Sequence, residues 1–119
     1  MRLIAVVDDL FFAARIRETA RQIGVDLDVV PAARAKDRAA QGGVGAVILD
    51  LSAPSALDVL RALKADPVTG SAPVLGFASH VAAETIAAAR GAGCDEVLAR
   101  SAFTRRLPEL LRKLASPEP

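Results

Sequence analysis

Five times along this chain a short apolar run gives way to a helical pattern, and nothing else in the sequence constrains the fold as much. Ile4-Ala5-Val6-Val7 has the length and β-branching of a buried strand and stops at Asp8-Asp9. From Leu10 to Ile23, Phe12, Ile16, Ala20 and Ile23 fall at helical spacing, and Gly24 closes that helix. Val25 to Val30 alternates apolar and acidic residues, the pattern of an edge strand with one wetter face. Pro31 opens a short alanine-rich helix that ends near Gln41. Val44 to Leu49 is a second fully apolar strand, ending at Asp50, and Pro54 to Ala65 follows as a helix with Leu57, Leu60 and Leu63 on one side. Pro73 to Phe77, Val81 to Arg90, Glu96 to Ala99 and Phe103 to Leu114 repeat the alternation twice more. Strict strand–helix alternation demands parallel strands, right-handed crossovers and helices on both faces of one sheet. The class is therefore α/β, doubly wound. In that class ligands gather at the carboxyl ends of the strands.

The 119 residues suffice for one domain, and 52 % hydrophobic residues exclude a disordered chain. Twenty-five of them are Ala, against 4 Phe and neither Trp nor Tyr, so Val, Leu and Ile must build the core. A net charge of +1 provides no field for nucleic acid, and the scarcity of aromatics argues against base-stacking platforms. The lone Cys94 can form neither an internal disulfide nor a zinc cluster, and is expected to pack as a small buried residue or to sit in a turn. Apolar runs fall far short of the ~20 residues of a membrane span, and the N-terminus reads as a strand without a cleavable signal. The expectation is a small cytoplasmic domain, with Ser116 to Pro119 as a frayed end.

Asp8, Asp9 and Asp50 stand directly after the two most apolar strands. If these strands are neighbours, ~4.8 Å apart, the three carboxylates converge and repel one another unless a cation sits among them. Oxygen-only ligands with open positions suit magnesium, beside which a carboxylate can accept a phosphoryl group. An acid after a strand also caps the next helix, and capping alone is the plainer reading of Asp9 before Leu10.

Val6-Val7-Asp8-Asp9, Ala46-Val47-Ile48-Leu49-Asp50 with Pro54 four residues later, and Ala92-Gly93-Cys94-Asp95-Glu96-Val97-Leu98-Ala99 occur in an order that resembles the CheY-like receiver domains of response regulators, from Leu3 to Leu114. The resemblance implies a flavodoxin-like three-layer sandwich of five βα units with sheet order 2-1-3-4-5. It implies a single receiver domain over residues 1–119 with no output domain. By the same resemblance Asp50 is the phosphoacceptor, and Asp9 and Asp50 bind magnesium. Asp8 reaches the metal through water, and the Ser52 carbonyl completes the protein's share of the coordination.

Two further positions depart from the family pattern. The fourth-strand Thr or Ser is replaced by Ala78, and Ser79, one step later, takes its place only if the strand end bulges. The family's Lys-Pro pair is Arg100-Ser101; arginine keeps the charge, but without proline a cis bond costs ~3 kcal/mol, so a trans or reshaped loop is expected. The aromatic switch position is Val97.

Other features invite plainer readings. Gly42-Gly43-Val44-Gly45 precedes a strand, which makes it a turn rather than a phosphate loop. His80 is a loop residue or, with Ser52, a modulator of the hydrolysis rate beside the phosphorylation pocket. The resemblance implies a histidine kinase or phosphotransfer protein upstream and a protein partner on the face of helix four, strand five and helix five, with Arg90, Arg105 and Arg106 at its rim. Neither nucleic acid nor membrane is expected as a partner. The leading reading is a non-enzymatic signalling receiver of a two-component phosphorelay. The alternative is a pseudo-receiver adaptor that needs no phosphate. A small flavodoxin-like enzyme is disfavoured because no aromatics flank a flavin and no His or Cys stands near the acids.

Overall fold

The apolar runs become five parallel strands in one sheet: β1 Arg2–Val6, β2 Leu27–Val30, β3 Val44–Asp50, β4 Val74–Ala78 and β5 Glu96–Ala99. Their spatial order is β2-β1-β3-β4-β5, as the resemblance implied. The computed structural model describes residues 2–79 and 83–116. Among the described residues six α-helices flank the sheet: α1 Leu10–Ile23, α2 Ala35–Ala40, α3 Ala56–Ala65, α4 Ala83–Gly91, α5 Arg100–Arg105 and α6 Leu107–Ala115. A single 3-10 turn, Ala32–Arg34, leads into α2 after Pro31. No helix among the described residues is long and apolar enough to cross a membrane.

Side-chain alternation along each strand divides the interior in two. Leu3, Ala5, Ile48, Leu75 and Phe77 face α1 and α6, meeting Phe12, Ile16, Phe103, Leu107 and Leu111. Ile4, Val6, Val47, Leu49 and Val74 face the other way, onto Ala39, Val59, Leu60, Leu63 and Ala89. Alanines on α2 and α4 let those helices approach closely, which is how a core poor in aromatics fills its volume. Three of the four phenylalanines concentrate in the first half. Phe77 and Phe103 stack with centroids 4.5 Å apart and planes 11° from parallel, and Phe12 tilts against both. Gly24, at φ 74°, closes α1 in the left-handed conformation expected of a C-cap glycine. Gly42 and Gly43 have positive φ in the turn before β3, so the glycine-rich stretch is a turn.

Several boundaries differ from the sequence reading; β2, for one, starts at Leu27 rather than Val25. The expected helix from Phe103 to Leu114 is two helices broken at Arg106. Pro108 explains the break, because it has no N–H for the Thr104 carbonyl and its ring crowds that carbonyl. The first of these helices also begins at Arg100, immediately after β5, so Arg100 opens a helix and does not lie in a loop. Helix α3 starts at Ala56 rather than Pro54, after turns through 51–55, and Ser55 provides no side-chain cap. The expected helix from Val81 begins outside the described residues, and its described part starts at Ala83.

The fully buried Phe103 links both other rings and the floor of α6. Phe103→Ala should lower the unfolding free energy by about 3–5 kcal/mol in urea denaturation. Leu10→Ala, at a side chain 80 % exposed, should change it by less than ~0.5 kcal/mol.

Candidate phosphoacceptor site

Strand β3 lies at the centre of the sheet, and Asp50 is its last residue. Its register sets Val6 opposite Leu49 and Asp50 opposite Phe77, so the acids after β1 stand beside the end of β3 at one edge. Asp50 is only 9 % exposed, and Oδ1 accepts a 2.9 Å hydrogen bond from the Ser52 backbone N–H. The Ser52 hydroxyl oxygen accepts from the Ser79 backbone N–H at 3.3 Å, tying the loop after β3 to the loop after β4.

Asp8 and Asp9 take separate partners. Asp8 Oδ1 accepts from the Ala32 N–H at 2.9 Å and so anchors the turn after β2. Asp9 Oδ1 caps α1 by accepting from Phe11 and Phe12 N–H at 3.0 and 3.1 Å. Its Oδ2 accepts from the Arg100 guanidinium at 3.0 Å, across 91 residues of sequence. The same guanidinium lies over the Phe12 ring, its Cζ 4.2 Å from the centroid. The capping and functional readings of Asp9 are thus not exclusive, since one carboxylate caps a helix and pairs with the site's arginine.

The expected convergence is therefore incomplete. Among the described residues no three Asp, Glu, His or Cys side chains form a group able to hold a metal. The neighbouring backbone draws Asp8 toward Ala32, and the α1 N-terminus together with Arg100 draws Asp9 away from Asp50. The donor chemistry still suits magnesium: all donors are oxygens, and Asp8 Oδ2 and Asp50 Oδ2 accept no hydrogen bond among the described residues. Asp9 could join them only on leaving Arg100.

The phosphoryl-contact positions are also resolved. Pairing runs in register through Ala78 and Ala99, without a bulge, so Ala78 stays buried and Ser79 is not carried onto its face. Ser79 instead lines an open groove of about 930 Å³ with Phe12, Arg15, Arg100, Thr104 and Leu107. The Arg100-Ser101 bond is trans, as no described peptide is cis. Val97 packs against the core half formed with α2, α3 and α4. Cys94 is buried, donates to the Glu96 carbonyl at 3.2 Å, and has its thiol pKa pushed up by burial. On the face of α4, β5 and the last two helices, Arg90 and Arg105 are exposed, whereas Arg106 pairs with Glu109 at 3.1 Å. His80 lies outside the described residues. The Phe12 ring as a platform for Arg100 was not anticipated; its signal was an aromatic three residues after a capping Asp, on the buried stripe of α1.

No protein-family model matches the sequence, and no curated protein matches it. Solved structures do. A response regulator from Hahella chejuensis superposes with a TM-score of 0.85 at 21 % identity, covering 97 % of this chain and 95 % of that one. The chemotaxis protein CheY4 of Vibrio cholerae gives 0.85 at 16 %, covering 95 % and 97 %. The receiver domain of a Pseudomonas aeruginosa sensor histidine kinase, which has a magnesium ion coordinated in its active-site cleft, gives 0.82 at 18 %, covering 97 % and 98 %. The chain has the CheY-like receiver fold. With coverage near complete on both sides, the likeness extends over the whole of the receiver unit rather than to an isolated βα motif.

The Phe12 N–H, then the Arg100 guanidinium, hold the Asp9 carboxyl below the ordinary carboxylate range. A depressed native value adds stability above the unfolded pKa of ~3.9, and that contribution is lost as pH falls through the native value. Carboxyl-carbon NMR titration should place Asp9 below a normal Asp. Arg100→Gln should raise its midpoint only part of the way back, because the Phe11 and Phe12 N–H groups remain.

Proposed function

We propose that this chain is a receiver module of a two-component phosphorelay that accepts a phosphoryl group on Asp50. The observation that carries the reading is the position of Asp50 in a receiver fold: nearly buried, at the carboxyl end of the central strand, with Oδ2 accepting no hydrogen bond among the described residues. The Ser52 N–H fixes Oδ1, so the carboxylate is oriented before a donor arrives. Oδ2 then attacks phosphorus, the donor's leaving group departs with the electrons of the broken P–O or P–N bond, and an acyl phosphate results. Bound magnesium would neutralise charge shared by the carboxylates and the phosphoryl oxygens, with Asp8, Asp9, Asp50 and the Ser52 carbonyl as its protein ligands. Arg100 is the cation that would pair with the new phosphoryl group, with Ser79 as a further contact and Ser52 and His80 as modulators of the hydrolysis rate. The phosphodonor is a histidine kinase or phosphotransfer protein. The signal leaves by protein contact through α4, β5 and the last two helices, with Arg90, Arg105 and Arg106 at the rim. The reading is of a cytoplasmic signalling unit, one receiver over residues 1–119, that turns over no external substrate.

One observation favours the adaptor reading instead. Arg100 is engaged with Asp9, and Ala78 offers no hydroxyl to the phosphoryl site. The two readings part on a single experiment. Incubation with magnesium and a small phosphodonor should add the mass of one phosphoryl group to the intact protein, and Asp50→Ala should add none. No mass gain in the wild type would leave the adaptor standing.

Once phosphorylated, the domain should move little. A phosphoryl group redirects a two-state fold only through contacts that differ between the states, and each 1.4 kcal/mol missing from that difference reduces the shift about tenfold. Ala78 supplies no donor and Val97 no ring. Amide chemical-shift changes on adding a stable phosphoryl mimic at Asp50 should be small across α4 in the wild type and larger in Ala78→Thr.

A further inference from the structure

We propose that Arg100 is a tethered counter-ion occupying the cation position of the acid corner, so that a divalent cation binds only by displacing it from Asp9. The proposal deepens the reading of this corner as a magnesium site and rests on it. Three observations carry it. Asp9 Oδ2, the one oxygen of that carboxylate not devoted to capping α1, is taken by the Arg100 guanidinium at 3.0 Å. The guanidinium is held in place from behind by the Phe12 ring, 4.2 Å from its Cζ, and Phe12 is itself fixed in the aromatic cluster with Phe77 and Phe103. Arg100 is the first residue of α5, directly after β5, so its backbone is anchored in regular structure and only the side chain has to move.

A divalent ion on Asp9 and a guanidinium on the same carboxylate would repel strongly at such separations, which makes the two occupants competitors. The displaced side chain has somewhere to go. The groove between α1 and the last helices is lined by Arg15, Arg105 and the hydroxyls of Ser79 and Thr104, with no carboxylate among its lining residues. Arg100 already lines that groove beside Arg15 and Arg105, so its release from Asp9 would free a third positive charge there for an anion. Cation binding at Asp9 and anion binding by Arg100 are then coupled with positive sign, and by linkage each must favour the other.

The pair is partly exposed, so its strength is modest, and its removal should tighten magnesium binding by roughly two- to fivefold. The test is calorimetric titration of magnesium chloride, at fixed ionic strength, into the wild type, Arg100→Gln, Arg100→Lys and Arg15→Gln. Arg15 lines the same groove and enters no ion pair among the described residues, so it controls for the general loss of a positive charge. Tighter binding in Arg100→Gln, an intermediate affinity in Arg100→Lys and a change under about twofold in Arg15→Gln support the proposal. So does binding that is detectable only once Arg100 is replaced. Equal or weaker affinity in Arg100→Gln overturns it while leaving the magnesium reading intact, as does an equal gain in Arg15→Gln. Absence of binding in all four proteins overturns the magnesium reading, and this proposal with it. The Arg100 Nε–H resonance gives a second readout: magnesium should shift it in the wild type, and an unchanged resonance at saturation counts against displacement.

Discussion

Coverage of β3 on both faces is the constraint on which the rest of this structure depends. Ile48 packs toward α1 and α6, Val47 and Leu49 pack toward α2, α3 and α4, and each is almost fully buried. A strand covered on both sides cannot pass its last residue to solvent gradually. Asp50 therefore ends the strand at 9 % exposure, where a carboxylate needs a donor, and the Ser52 N–H provides it. The partial burial of Asp50 and the Ser52 N–H together keep its carboxylate oriented. The fold thereby sets the Asp50 carboxylate at the sheet edge where the residues directly after β1, β3 and β4 come together.

Much of this was legible because it depends on local periodicity. The four-residue apolar runs, the stripe Phe12, Ile16, Ala20 and the glycine at position 24 report short-range physics, and the matching elements formed. The 2-1-3-4-5 order came from the resemblance, since alternation alone gives parallel strands without ranking them. The break at Arg106 was legible in principle. The apolar stripe Phe103, Leu107, Leu110, Leu111 and Leu114 runs on through it, however, and hides the fact that Pro108 removes a hydrogen bond from inside the run.

The site was less legible than the fold. Composition and spacing brought Asp8, Asp9 and Asp50 to one edge but carried no information on where their oxygens turn. That is decided by the nearest backbone donors, Ala32 N–H for Asp8 and the first turn of α1 for Asp9, which lie in separate elements. The Arg100 contact joins residues 91 apart and depends on a helix starting three residues earlier than a hydrophobic stripe can report. Sequence periodicity registers what is buried; Arg100 sits half in and half out, and its position follows from charge and stacking.

Arginine at position 100 is also a different device from the ammonium that the resemblance leads one to expect. A lysine is a compact point charge on a flexible stem, and it can approach any nearby carboxylate. A guanidinium is planar and weakly hydrated, so it can stack on Phe12 and donate in its own plane to Asp9 at the same time. Those two contacts are geometrically compatible with each other, and together they select Asp9 over Asp50 as the partner. A single phenylalanine on the buried stripe of α1 links the core to the acid corner: Phe77 and Phe103 fix Phe12, Phe12 fixes Arg100, and Arg100 neutralises Asp9. In this chain the electrostatics of the corner follow from how the hydrophobic core is packed.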